Sequence, residues 1–245
     1  MNRPEETNTM LQAMKMDAFL ETLMHQRENA DYDDKFFENR LFELVSSEFY
    51  GRRNNKTEQL IRLANFQNSQ ACPEDVDFTP NRTFDSQLAK ELLACRFMET
   101  KKNIVVMGPT GAGKSYFAQA IGVAACRRGF STAYVQLADF LEEYHIEKMK
   151  GLQKSRLYRN RFKRKQLLII DEFLLYPMSE EDSQIILRLL DQRRDLHPTI
   201  VISQFNPNEW IGKVSNGVAG EALADRIATG SYRMNFQSKK SLRSM

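Results

Sequence analysis

The sequence predicts an α/β fold: a parallel sheet flanked by helices, preceded by a small all-α N-terminal domain. Three observations lead there. From Asn103 onward, short apolar, β-branched runs alternate with helical stretches, the texture of strands buried on both faces of a parallel sheet. A glycine-rich segment, residues 108–115 (GPTGAGKS), stands between the first of those runs and a helix. Before residue 70 there is helical periodicity and no strand signal.

In the N-terminal region, Leu11, Met14, Ala18, Leu20 and Leu23 keep helical spacing and predict one amphipathic helix. A polar, acidic stretch at 29–34 interrupts it. A second helix carries Phe36, Phe37, Leu41, Leu44 and Val45 and stops near Gly51; a third, capped by Thr57, holds Leu60, Ile61 and Leu63. Residues 71–82 contain two prolines and several turn formers, which marks a boundary. The expected organisation is a helical domain at 1–70, a linker at 71–85 and a core at 86–245. The core opens with a helix over 86–100. Strands follow at 104–107, 131–137, 167–170 and 199–203, separated by helices near 114–128, 138–150 and 180–195. Trp210 and the phenylalanines are assigned to the core.

With 245 residues the chain accommodates one such core and an accessory region. A net charge of only +3 means that any preference for nucleic acid must come from local clustering. Cys72, Cys95 and Cys126 form no Cys-x-x-Cys pair and read as reduced thiols, and His25, His145 and His197 lack metal-ligand spacing. No apolar run approaches the ~20 residues that cross a bilayer. The polar, acidic start is no secretory signal, so the expected location is the cytoplasm, away from membranes.

The segment 108–115 matches the full P-loop pattern in the context its mechanism requires, after a strand and before a helix. Glycines let backbone N–H groups converge on phosphate oxygens, and the helix start adds unpaired N–H groups and the positive end of a dipole. The expected nucleotide contacts are Gly108, Pro109, Thr110, Gly111, Ala112, Gly113, Lys114, Ser115 and Tyr116. Lys114 reaches the β- and γ-phosphates of ATP, and the Ser115 hydroxyl ligates Mg²⁺. Asp171 and Glu172 end the apolar run 167–170, at the sheet edge where ligands bind in open α/β folds. Asp171 is assigned to Mg²⁺, directly or through water, and Glu172 to polarising the attacking water. Beyond the next strand, Gln204 is the first candidate for contacting the γ-phosphate and Asn206 the second; capping or turn roles are the alternative. Arg226 and Arg243 could supply transition-state charge to a neighbouring subunit, although from spacing alone surface salt bridges are the favoured reading for both.

These motifs resemble those of the IstB-type transposition helper ATPases, relatives of the DnaC helicase loader within the AAA+ class. The resemblance covers nearly the whole chain: residues 71–78 (ACPEDVDF), the P-loop, 125–131 (ACRRGFS), 168–173 (LIIDEF), 202–210 (ISQFNPNEW) and 223–227 (LADRI). It implies an AAA+ core that assembles with ATP on double-stranded DNA as a homo-oligomer with ATP sites between subunits. Assembly would assist a transposase encoded nearby, and hydrolysis would reset target choice. By the same resemblance Lys114 and Ser115 are Walker A positions, Asp171 and Glu172 Walker B positions, Gln204 lies near the sensor, and Arg226 matches the arginine finger. Arg243 sits in a similar Ser-x-Arg tail. Where family members often carry two aspartates, this chain has Asp171-Glu172. A DnaC-like replicative helicase loader on single-stranded DNA, and an adaptor that binds ATP but barely hydrolyses it, are the rival readings.

Between 148 and 165 run nine cations without an acid: Lys148, Lys150, Lys154, Arg156, Arg159, Arg161, Lys163, Arg164 and Lys165. Such a cluster neutralises DNA phosphates without reading sequence, and a solvated helix face is the alternative. Arg52 and Arg53, with Lys56 and Arg62, form a smaller basic group in the N-terminal region, which is assigned to DNA, to the partner transposase, or to both.

Overall fold

The computed structural model describes residues 3–68, 70–78 and 84–237. The chain divides into two compact units, Met1–Gln59 and Leu60–Met245.

The first unit is helical: α1 (Arg3–Ala13), α2 (Asp17–Glu28) and the start of α3 (Phe37–Ala64). The single helix expected over Leu11–Leu23 is broken at Lys15, whose φ of 54° ends α1 in the left-handed region. Glu48 of α3 then supplies what Met16 at the start of α2 lacks, since its carboxylate accepts the Phe19 N–H at 3.1 Å. Desolvation opposes the Glu48 charge, but Arg52 and that N–H outweigh it and hold the carboxyl below its usual range. Helix α3 runs straight through Gly51 and Thr57, where a stop and a cap were expected. Gly51 serves close packing instead: a Cβ there would lie 3.1 Å from that of Ala18. The Thr57 hydroxyl donates to the Arg53 carbonyl within the helix at 2.9 Å. The core assignment of the phenylalanines fails in this unit, where Phe36, Phe37, Phe42 and Phe49 are exposed and Leu11, Leu20 and Leu44 are buried.

The second unit begins within α3, ahead of the proline-bearing segment where the boundary was expected, because that segment packs onto the core. Asn68 donates its N–H to Gln119 at 2.8 Å, and Arg127 pairs with Glu74 at 2.6 Å. The expected helix over 86–100 is two, α4 (Ser86–Leu93) and α5 (Phe97–Thr100), split at Cys95 with φ 56°. Then come β1 (Ile104–Met107), α6 (Lys114–Arg127), β2 (Thr132–Gln136), α7 (Leu137–Met149), α8 (Leu152–Lys163), β3 (Leu167–Asp171), α9 (Glu180–Asp191), β4 (Thr199–Ser203), α10 (Pro207–Trp210), α11 (Gly217–Ala228) and β5 (Tyr232–Asn235). All pairs are parallel, in the order β2-β3-β4-β1-β5.

Each central strand feeds two cores. Ile104, Val106, Leu167, Ile169, Ile200 and Ile202 pack with α4 and α6 on one face. Val105, Leu168, Ile170 and Val201 pack with α7, α9 and α11 on the other, where Trp210 is fully buried. This is why the strands read as continuous apolar runs. The order places β4 between β1 and β3, so three strand ends converge on one edge.

Candidate functional site

At that edge the P-loop joins β1 to α6. Gly108, Gly111 and Gly113 hold φ of 142°, 77° and 91°, a conformation side chains rarely adopt. At Gly108 there is also no room: a Cβ would lie 2.2 Å from the Phe236 carbonyl oxygen, where Phe236 donates its N–H to Met107 at 2.7 Å. Lys114 opens α6, is 8% exposed, and donates its Nζ to the Pro109 carbonyl at 2.8 Å. A cavity of about 630 Å³ lies over the loop. Thr110, Gly111, Gly113, Lys114, Ser115 and Tyr116 line it from the loop side. Gly108, Pro109 and Ala112 shape the turn without lining the cavity.

Opposite stand Asp171, Glu172 and Gln204. Asp171 is 3% exposed with both carboxylate oxygens engaged. Oδ1 accepts the Glu172 N–H at 2.7 Å, and Oδ2 lies 2.6 Å from the Tyr134 hydroxyl. Burial first, and then the Asp171 carboxylate, push the Tyr134 pKa up, so the hydroxyl is a proton donor. Glu172 is exposed to the cavity with φ 54°. Ser203 ties β4 to the end of β3: its hydroxyl donates to the Phe173 carbonyl at 2.9 Å and accepts the Phe205 N–H at 3.1 Å. Gln204, the next residue, is thereby set at the cavity. Asn206 starts α10, its N–H donating to Glu209 at 2.8 Å, and does not line the cavity.

Sequence reasoning missed part of this wall. Gln67, Asn68 and Asp75, from the segment after α3, line the same cavity as Lys114, and so does Gln119. One signal was available: Gln119, one turn after Ser115, is the lone polar residue between Phe117 and Cys126 of α6.

Arg226 does not line the cavity. It sits in the last turn of α11, ion-paired with Asp191 at the end of α9, with Nη1 donating to the Ala222 carbonyl at 3.3 Å. Arg243 lies outside the described residues. The basic stretch forms α8 and its flanks. Lys154, Arg156, Arg161 and Arg164 are exposed, Arg159, Lys163 and Lys165 half-buried, and Lys148 and Lys150 pair with Glu181 and Glu147. A second cleft, of about 320 Å³, is lined by Lys154, Arg161 and Arg164 beside Tyr158. In the N-terminal unit Arg52 pairs with Glu48 and donates to the Lys15 carbonyl at 3.2 Å, while Arg53 is exposed.

Helix α8 is anchored by Arg193, which is 1% exposed. Its guanidinium donates to the carbonyls of Phe162 at 2.7 Å, Lys165 at 2.7 Å and Pro198 at 2.8 Å, and to the Thr199 hydroxyl at 3.1 Å. Burial pulls its pKa down to about 9, still a cation at neutral pH.

The cavity fits a nucleotide with a divalent cation. Its volume is in the range of ligand sites, it carries one buried ammonium and one buried carboxylate, and the start of α6 faces it. Among the described residues no cluster of three His, Cys, Asp or Glu could hold a metal by itself. A Mg²⁺ here would use Ser115 and Asp171 and complete its shell with phosphate oxygens and water.

Comparison with known proteins bears on the family and the fold. The family model described as IstB-like ATP binding protein matches residues 9–244. An insertion sequence IS232 ATP-binding protein from Bacillus thuringiensis subsp. berliner is 26% identical, over 92% of this chain and 89% of its own. The insertion sequence ATP-binding protein y4pL of Sinorhizobium fredii is 30% identical, over 82% of this chain and 80% of its own. In fold, the core is similar to DnaI, with a TM-score of 0.57 and 21% identity over 71% of this chain and 91% of that one. It is also similar to a DNA replication initiation factor, with a TM-score of 0.59 and 21% identity, covering 73% of this chain and 53% of that one. These structures share the fold of the core, a parallel sheet flanked by helices. No described helix is long and apolar enough to cross a membrane.

Proposed function

This chain belongs to the IstB-like ATP-binding protein family, and on that premise we propose that it is an ATP-hydrolysing, DNA-binding regulator of transposition. It assembles on double-stranded DNA with ATP, assists a transposase encoded nearby, and disassembles on hydrolysis. The observation that carries the reading is the single cavity that gathers Lys114, Ser115, Asp171, Glu172 and Gln204 at one sheet edge. The relatives named for insertion sequences supply the transposition context.

Lys114 and the N–H groups at the start of α6 hold the phosphates of ATP. A Mg²⁺ held by Ser115 and Asp171 would supply neutralisation of the charge that develops on the phosphates. Glu172 accepts a proton from the attacking water, and Gln204 orients that water or the γ-phosphate. Arg226, outside its own cavity and held by a surface ion pair that costs little to break, serves the site of a neighbouring copy. The exposed cations of α8 and the cleft beside Tyr158 take the DNA backbone, with Arg53 as a further contact. The exposed apolar residues of α3 suit the transposase.

Electron microscopy with ATP and duplex DNA tests the assembly. Ordered oligomers are expected on duplex DNA with the unaltered chain and none with Lys114→Ala. Assembly on single-stranded DNA alone would replace this reading with that of a helicase loader. Stimulated phosphate release in the same mixture separates it from a non-hydrolysing adaptor.

A further inference from the structure

The hydroxyl of Tyr134 has a place in the site that the P-loop pattern does not require. It lies on β2, with two strands between it and the P-loop strand, yet ends 2.6 Å from Asp171 Oδ2, and it is 3.0 Å from Gln67 Oε1. Tyr134 and Asp171 are each 3% exposed, so neither exchanges this partner freely for water. A phenol carries one proton. Given to Asp171, it leaves the phenol oxygen as an acceptor, which the Gln67 amide satisfies by presenting its N–H₂ group. With the Glu172 N–H on Oδ1 at 2.7 Å, the Asp171 carboxylate is held from both sides.

We propose that Tyr134, supported by Gln67, is a positioning residue for Asp171 that sets the affinity of the nucleotide site for Mg²⁺. The inference rests on the reading of Asp171 as the Mg²⁺ carboxylate. Mg²⁺ demands near-octahedral geometry, so a carboxylate fixed in one rotamer binds it, directly or through water, better than one that swings. Partners behind a metal ligand commonly contribute about 10–100-fold to metal affinity. Gln67 lies three residues beyond the end of α3, so this wall of the site is built from a segment far from the P-loop in sequence.

The test uses the full chain and a fluorescent ATP analogue, titrated with Mg²⁺. Tyr134→Phe keeps the ring and removes the hydroxyl. The expected result is a Mg²⁺ half-saturation raised about tenfold, with affinity for the analogue in EDTA unchanged within about twofold. A purely structural role would lower the melting temperature and leave the Mg²⁺ titration where it was; that outcome overturns the proposal. Should Tyr134→Phe not fold, Gln67→Ala, at an exposed position, is expected to raise the half-saturation in the same direction, and an unchanged value sinks the idea. Asp171→Asn is the control for the underlying reading. If its Mg²⁺ dependence equals that of the unaltered chain, the assignment of Asp171 has failed; if only Asp171→Asn shifts, the failure is Tyr134's alone.

Discussion

Glu172 holds a backbone angle that glutamate rarely adopts, φ 54° at the end of β3, and Leu174 repeats it at 56°. Left-handed backbone costs a residue with a Cβ about 1–2 kcal/mol. The chain sustains it because Asp171 accepts the Glu172 N–H and the Phe173 N–H reaches the Ile202 carbonyl at 2.8 Å. Of the two neighbouring acids at the cavity wall, Asp171 is buried and held by Tyr134 and the Glu172 N–H, and Glu172 is exposed. Glu172→Gln keeps shape and backbone but cannot take a proton. ATP binding is expected to persist while kcat falls about 10²–10⁴-fold, measured by single-turnover phosphate release. Normal turnover would remove Glu172 from the role of base.

At the scale of elements, the basic helix α8 depends on one residue outside it. The last carbonyls of a helix have no partner within it, and those of Phe162 and Lys163 point to the Arg193 guanidinium at 2.7 and 3.2 Å. The same guanidinium reaches the carbonyls of Lys165 and Pro198, so it also clamps the chain entering β3 and β4. A cation at a helix C-terminus is further favoured by the dipole. Arg193→Met fills much of the space but leaves buried carbonyls unsatisfied. A loss of about 3 kcal/mol is expected, measured by urea unfolding, with nucleotide affinity preserved. A loss below about 1 kcal/mol would mean that water reaches those carbonyls. Nothing in the run 188–195 marked Arg193 as different from Arg194, since both read as surface cations until the burial of one is known. The fifth strand was hidden for a related reason. Tyr232–Asn235 is an edge strand with Met234 alone buried, so it lacks the apolar run that announced the other four. Gly51 misled in the opposite sense, because glycine stops helices at their ends but also lets two helices approach.

At the scale of the molecule, a net charge of +3 cannot by itself draw DNA. The cations that remain exposed on α8 can, because each phosphate neutralised releases counterions. The logarithm of duplex affinity is expected to fall linearly with the logarithm of salt concentration. Arg156→Ala with Arg161→Ala is expected to reduce that slope by about 2, with ATP affinity in the absence of DNA unchanged. Fluorescence anisotropy across a salt series decides it, and an unaltered slope would leave α8 a solvated face.

The sequence by itself determined the strand-loop-helix around 108–115, the four apolar strands and the acidic pair at 171 and 172. These are local: glycine spacing, side-chain periodicity and the end of an apolar run follow from backbone sterics over a few residues. Only the tertiary structure decided which distant groups meet them. Tyr134 is 37 positions from Asp171, and Gln67 is 67 from Tyr134. Those contacts follow from the strand order β2-β3-β4-β1-β5 and from the docking of the segment after α3, and no local pattern encodes either. The pairing of Arg226 with Asp191 and the burial of Arg193 belong to the same class. A charged side chain reads alike in sequence whether it ends in water, in an ion pair or among buried carbonyls, because only packing sets its surroundings.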